Sequence, residues 1–242
     1  PGGYTYFDPV AWEADILDGR LDSGRNVCHE ICDKWADDPS RVALYYETEE
    51  GGDGTLTFAE LKEASARFAN YLKSKGIGKG DRVAALLPRT PELLIVIAGT
   101  LRAGAVYQPL FTAFGSGAIE YRFERASTKL VVTNPENYPK LNDVKVCPPV
   151  VGVNASEIGA DIPDFEQTLA AQSSEFEPVM IKGDDPFLQM FTSGPVGKSN
   201  VLAVPAPALL SFYVYMHSAL HLPLPLLHLR PPPPILPRLS LY

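Results

Sequence analysis

Thr57–Leu87, TFAELKEASARFANYLKSKGIGKGDRVAALL, decides the fold. Thr57 with Glu60 three residues on predicts a capping box, in which each side chain satisfies the other's free backbone N–H at a helix start. Leu61, Ala64, Phe68 and Leu72 then recur at helical spacing, and Gly76 supplies the stop. Ile77-Gly78-Lys79-Gly80-Asp81 turns the chain into Arg82–Leu87, an apolar run suited to a strand buried on both faces. Thr90 is placed to cap a second helix, with Pro91 at its first position and Gly104 past its end, and Val106–Leu110 reads as the next strand. Helix, strand, helix, strand is the alternation of a parallel sheet with crossover helices.

The pattern extends both ways. Upstream, residues 27–36 read as a helix with Asn26 as N-cap and Ile31 and Trp35 on one face. Val42–Tyr46 reads as a strand, and the polar turn Glu49–Gly54 returns the chain into Thr55–Phe58. Downstream come a short helix near 118–126, strands at Lys129–Thr133 and Val150–Val153, a surface helix over Asp164–Ala171, and a strand over Phe187–Phe191. The fold class is α/β, a doubly wound, largely parallel sheet with flanking helices, expected over residues 42–133 and 187–220. Leu86, Val96, Val106 and Val131 are expected in its core.

Composition narrows the function. The 242 residues are 45% hydrophobic and 21% charged, ordinary for a soluble globular protein. The net charge is −8, and no basic run suits a nucleic-acid backbone. Cys28, Cys32 and Cys147 make no disulfide framework, which fits a reducing, cytoplasmic location. Cys28, Cys32 and neighbouring His29 suggest metal ligands, but no second ligand pair follows; small residues on the buried face of a helix are the expectation, with no metal site. The opening Pro1-Gly2-Gly3-Tyr4 has no initiator Met and no secretory signal, and is read as following residues lost or processed. Val201–Leu227 holds no Asp, Glu, Lys or Arg, yet Pro205, Pro207, Pro223 and Pro225 break it. A buried helix from Pro207 to about Leu220 is expected there in place of a membrane span.

One loop carries chemistry. Thr192-Ser193-Gly194-Pro195-Val196-Gly197-Lys198-Ser199 is read as following a strand and preceding a helix. Small residues let backbone N–H groups and hydroxyls converge on phosphate oxygens, and a lysine adds positive charge. A solvated turn serves the composition equally well. A Walker loop does not, because Thr192 stands where that motif needs a glycine.

Phe191-Thr192-Ser193-Gly194, followed by Gly197-Lys198, resembles the signature loop of the adenylate-forming (AMP-binding) superfamily. Leu56–Leu61, Gly76–Val83 and Ala103–Leu110 resemble its upstream landmarks in order. Phe111-Thr112-Ala113-Phe114-Gly115 with Ile119-Glu120-Tyr121-Arg122 is similar to acyl-CoA synthetases of the acetyl to medium-chain kind. The resemblance runs from about residue 25 to 220 and implies an ATP-dependent acid–thiol ligase. Such enzymes join a carboxylate to ATP with Mg²⁺, release pyrophosphate, and pass the acyl group to coenzyme A. Thr192, Ser193, Gly194, Gly197 and Lys198 would face the pyrophosphate, with Pro195 and Val196 completing the loop. Pro195 replaces a hydroxyl residue and lacks an N–H; Ser199-Asn200 stand in place of Pro-Lys, and Val201-Leu202 in place of Gly-Val, each weakening a phosphate cradle.

The resemblance also implies an aromatic-Gly-x-Thr-Glu segment, a ribose-binding aspartate and a catalytic lysine. None occurs in these 242 residues, so the chain is expected to be incomplete and inactive alone, and no catalytic residue is assigned. Two other readings stay open: an adenylating enzyme that charges a carrier protein, and a non-enzymatic fragment acting by protein contact. The domain is expected over 1–220. His221–Tyr242 has seven prolines, eight leucines and no Gly, Asp or Glu; a partner-binding polyproline segment would suit the composition, but the stretch reads as a tail of doubtful sequence that a shifted reading frame or wrongly assigned residues would explain.

Overall fold

The computed structural model describes residues 13, 14, 16–19, 23–47, 52–159, 161–192 and 200–219, with the side chains of 214 and 216–219 excepted. The elements are α1 (Val27–Ile31), β1 (Val42–Glu47), β2 (Asp53–Thr57), α2 (Phe58–Ser74), β3 (Arg82–Leu86), α3 (Pro91–Arg102) and β4 (Val106–Pro109). They continue with α4 (Ser116–Ala126), β5 (Leu130–Thr133), β6 (Val150–Gly152), α5 (Phe165–Ala170), β7 (Pro186–Thr192), β8 (Asn200–Pro205) and α6 (Ala208–Ala219).

Local chemistry sets the ends. Thr57 Oγ1 accepts from the Glu60 N–H at 3.2 Å while Glu60 Oε2 accepts from the Thr57 N–H at 2.8 Å, the capping box expected from the sequence. Gly76 and Gly104 take φ of +71° and +69° after α2 and α3, a conformation that costs a side chain dearly. Thr90 precedes α3 without a side-chain cap bond, so Pro91 at the first turn marks that start. Asn26 caps α1 through His29 N–H at 3.1 Å, and its Nδ2 donates to the carbonyls of Leu101, Arg102 and Val179. The helix expected over 27–36 breaks at Cys32, whose φ of −132° and ψ of −64° leave the helical region; a 3-10 turn over Asp33–Trp35 follows.

Six strands form one sheet in the order β6-β5-β3-β4-β7-β8. All neighbours are parallel except β7 and β8, which are antiparallel. Residues of β3 alternate between two cores. Val83 and Ala85 pack with α2 and α3 residues such as Phe68, Leu72, Val96 and Leu101. Ala84 and Leu86 pack with Ile119 and Phe123 of α4 on the opposite face. Helices therefore cover both faces, as a doubly wound sheet requires. Leu86, Val96, Val106 and Val131 are at most 1% exposed, and burying each contributes about 1.5–3 kcal/mol relative to exposure.

The structure corrects three further expectations. β1 and β2 form a separate antiparallel pair and do not join the main sheet; their half-exposed alternation suits a hairpin open to water on one side. α5 is not a mere surface helix, because Phe165 and Leu169 are buried and Phe165 meets the Phe68 ring at 5.7 Å. The candidate loop does not run directly into a helix: β8 intervenes, paired with β7 from Thr192↔Asn200 to Pro186↔Pro205, before α6 begins. Residues 220–242, including the proline-rich tail, lie outside the described residues.

Candidate functional site

In a doubly wound sheet, ligands bind outside the carboxyl ends of strands whose onward connections diverge to opposite faces. Here the chain leaves β3 for α3 on one face and leaves the adjacent β4 for α4 on the other. β7 lies parallel to β4 on its far side, so it ends at the same edge. The structure thus brings Thr192 to the edge of the switch point, exposed and opposite Asn200 across the β7–β8 ladder. Ser193, Gly194, Pro195, Val196, Gly197 and Lys198, the other candidate loop residues, lie outside the described residues.

Next to Thr192 in the chain, Phe191 adjoins a group of aromatic and cationic side chains. Phe111, 69% exposed after β4, meets Phe114 edge-on at 5.3 Å. The two sit in a turn closed by the Phe114 N–H donating to the Phe111 carbonyl at 2.9 Å. Lys140 donates from Nζ to the Thr112 carbonyl and, at 2.7 Å, to Asn137 Oδ1, tethering the same segment from the next crossover. The Arg122 guanidinium lies 4.0 Å from the centre of the Phe114 ring and 5.3 Å from that of Phe191. Tyr121 meets Phe191 edge-on at 6.2 Å. Burial lowers the Arg122 pKa from its usual value, with the neighbouring Tyr121 opposing this only in part, and a guanidinium stays charged regardless. Helical spacing places Tyr121 and Arg122 on α4, but nothing in their order shows that both reach a strand some seventy positions further on.

A second cluster is buried elsewhere. Ligand atoms of Cys28, Cys32 and Asp33 lie within 4.8 Å of one another. Both Asp33 oxygens, however, accept from Arg102, and the Cys32 sulfur sits 3.7 Å from the Phe58 carbonyl. The hydrogen bond from Cys32 to Cys28, together with burial, pushes the Cys32 pKa up and keeps it a thiol. These groups have found partners in one another. Cys28 lies on the buried face of α1 as expected, whereas Cys32 is buried just past the helix end, and Asp33 is committed to an ion pair.

The family described as AMP-binding enzyme matches residues 32–222. The chain is 36% identical over 207 residues to acetyl-coenzyme A synthetase of Bacillus subtilis (strain 168), covering 80% of this chain and 35% of that protein. It is 32% identical over 216 residues to acetyl-coenzyme A synthetase 1 of Debaryomyces hansenii, covering 78% of this chain and 32% of that one. It therefore spans about a third of the length of these relatives. Among solved structures, a Brucella canis acyl-CoA synthetase superposes with a TM-score of 0.82 at 45% identity, covering 88% of this chain and 39% of that chain.

Proposed function

Since the chain belongs to the AMP-binding enzyme family, we propose that it is the N-terminal portion of an acyl-CoA synthetase, an ATP-dependent acid–thiol ligase. A carboxylate oxygen attacks the α-phosphorus of ATP, the bond to the β-phosphate breaks, and pyrophosphate leaves with Mg²⁺. The thiol of coenzyme A then attacks the acyl carbonyl and AMP departs. The substrate is a small carboxylate of the acetyl to medium-chain range, and the setting is fatty acid metabolism in the cytoplasm. None of the described helices is long and apolar enough to cross a membrane.

The observation that carries this reading is the position of Thr192. It opens the loop whose residues resemble the family signature, and it stands at the carboxyl edge beside the switch point. Pyrophosphate is a polyanion, so the work of the first step is alignment and electrostatic stabilisation. Thr192, Ser193, Gly194, Gly197 and Lys198 supply hydroxyls, unobstructed backbone and charge for it, with Pro195 and Val196 between them. Asn200 occupies the place of a second lysine at the exposed start of β8, directly across from Thr192.

Titration of the 242-residue chain with Mg²⁺–ATP, followed by calorimetry, tests the reading. Binding is expected, weakened roughly ten- to a hundredfold in Lys198→Ala, the range of a charged hydrogen bond. Asn200→Lys is expected to tighten it by about two- to fivefold. A chain that binds no ATP overturns the assignment.

A further inference from the structure

We propose that Arg122 is a positioning residue of the candidate site, a clamp that joins the segment after β4 to the end of β7 and so fixes Thr192. The inference rests on the reading of the loop that begins at Thr192 as the nucleotide-binding loop.

The sheet needs such a clamp at this seam. β3 pairs with β4 from Arg82↔Val106 to Ala85↔Pro109, and with β5 from Val83↔Leu130 to Leu86↔Thr133. β4 and β7 share a single registered pair, Tyr107↔Leu188. Pro109 has no N–H to extend that ladder toward the carboxyl edge. The candidate loop therefore leaves the sheet beside its least paired junction, and backbone bonds alone hold Phe191 and Thr192 weakly against β4.

Arg122 spans the seam by side chains. Its backbone is anchored to β4, because buried Gln108 donates from Nε2 to the Arg122 carbonyl at 3.3 Å and accepts from Thr128 Oγ1 at 2.6 Å. Its helix is fixed by Ile119 and Phe123, both in the core. Its Nη1 donates to the Ala118 carbonyl at 2.8 Å, which aims the guanidinium. The head then lies over Phe114 on one side of the junction and Phe191 on the other. A cation over an aromatic face is attracted by the ring quadrupole, more strongly when partly desolvated. One charge thus holds two rings, one from the turn after β4 and one from β7, and Phe191 is covalently next to Thr192.

Amide hydrogen exchange of the full 242-residue chain without nucleotide tests the clamp. Arg122→Met keeps the apolar stem and removes the charge; Arg122→Lys keeps a charge. In Arg122→Met, amides of Met190–Thr192 and Asn200–Leu202 are expected to exchange about tenfold faster, while those of Ala84–Leu86 stay unchanged. Arg122→Lys is expected to recover part of the protection, and Phe191→Leu, with the arginine retained, to reproduce the loss. Unchanged exchange at these amides, or a uniform acceleration across the sheet, overturns the proposal. ATP affinity separates this inference from the functional reading. A wild-type chain that binds ATP, with Arg122→Met binding equally tightly, overturns the positioning role. A wild-type chain that binds no ATP, with the exchange change intact, leaves the clamp standing and removes the nucleotide assignment.

Discussion

Arg102, the last residue of α3, donates from Nη1 to Asp33 Oδ2 at 2.9 Å and from Nη2 to Asp33 Oδ1, and both side chains are buried. Arg102 Nε donates at 3.1 Å to Ser65 of α2, so one guanidinium ties the segment after α1 to two helices of the main core. Such a fork matches a carboxylate in both distance and plane. Taking one partner away strands the other charge inside the protein.

Arg102→Leu alone, or Asp33→Leu alone, is therefore expected to lower unfolding stability by about 3–5 kcal/mol. Replacing both together is expected to recover most of that loss, since the desolvation of two charges disappears with the pair. A double-mutant cycle in urea checks this. Additive single losses would show that the pair does not act as a unit.

Close approach of α2 and α3 depends on a missing side chain. A Cβ on Gly99 would meet Phe68 Cβ and Cδ1 at 2.8 Å and the Ser65 carbonyl oxygen at 2.9 Å. Backbone cannot swing aside as a flexible side chain can. Gly99→Ala is expected to destabilise by about 1–3 kcal/mol despite the better helix propensity of alanine. Gly78 has open space around it, so Gly78→Ala is expected to be neutral or to stabilise by up to about 1 kcal/mol. Chemical denaturation of both variants decides; a Gly99→Ala protein as stable as the parent would refute the tight contact.

These contacts mark the limit of what the sequence reveals. Helix starts and stops are local chemistry, so Thr57 with Glu60, Pro91, Gly76 and Gly104 were all readable as punctuation. The buried strands were readable because Arg82–Leu87 is apolar on both faces. β8 was not: Val201–Val204 merged with the apolar residues of α6 into one charge-free run, and only pairing with β7 separates them. The break at Cys32 was equally hidden, since it comes from the Asp33–Arg102 pair and the packing of Cys32 on Phe58, partners distant in sequence. At the candidate site, composition pointed to the Thr192 loop. The Arg122, Phe114 and Phe191 group, by contrast, assembles from three elements whose proximity is a property of the fold.

The tether on the aromatic segment gives a prediction of its own. Lys140 reaches the Thr112 carbonyl and Asn137 Oδ1, holding the segment that presents Phe111 outward. Lys140→Met is expected to leave overall stability within about 1 kcal/mol, because the interaction is local and partly exposed. It is expected to speed exchange at the Ala113 and Phe114 amides. Exchange unchanged at those two amides would show that the Phe111–Phe114 turn holds itself.

Alkaline pH is expected to weaken the fold through its tyrosines. Burial, with smaller contributions from the charges of Glu30 and Asp18, pushes the Tyr213 pKa up to about 12. Burial also raises those of Tyr71 and Tyr107. In the unfolded chain these phenols ionise near pH ~10, while in the folded chain they keep their protons to higher pH. Above pH ~10 the unfolded state therefore binds fewer protons than the folded one, and stability falls as pH rises. The contribution is complete below that value and is lost progressively as pH approaches the folded-state pKa. Urea midpoints measured from about pH 9 to 12, with tyrosinate absorbance followed in parallel, should show this decline. Tyr213→Phe removes one of the ionising groups and is expected to flatten the slope. A slope identical to that of the parent would mean that Tyr213 titrates alike in both states and that its packing against the core does not hold the proton.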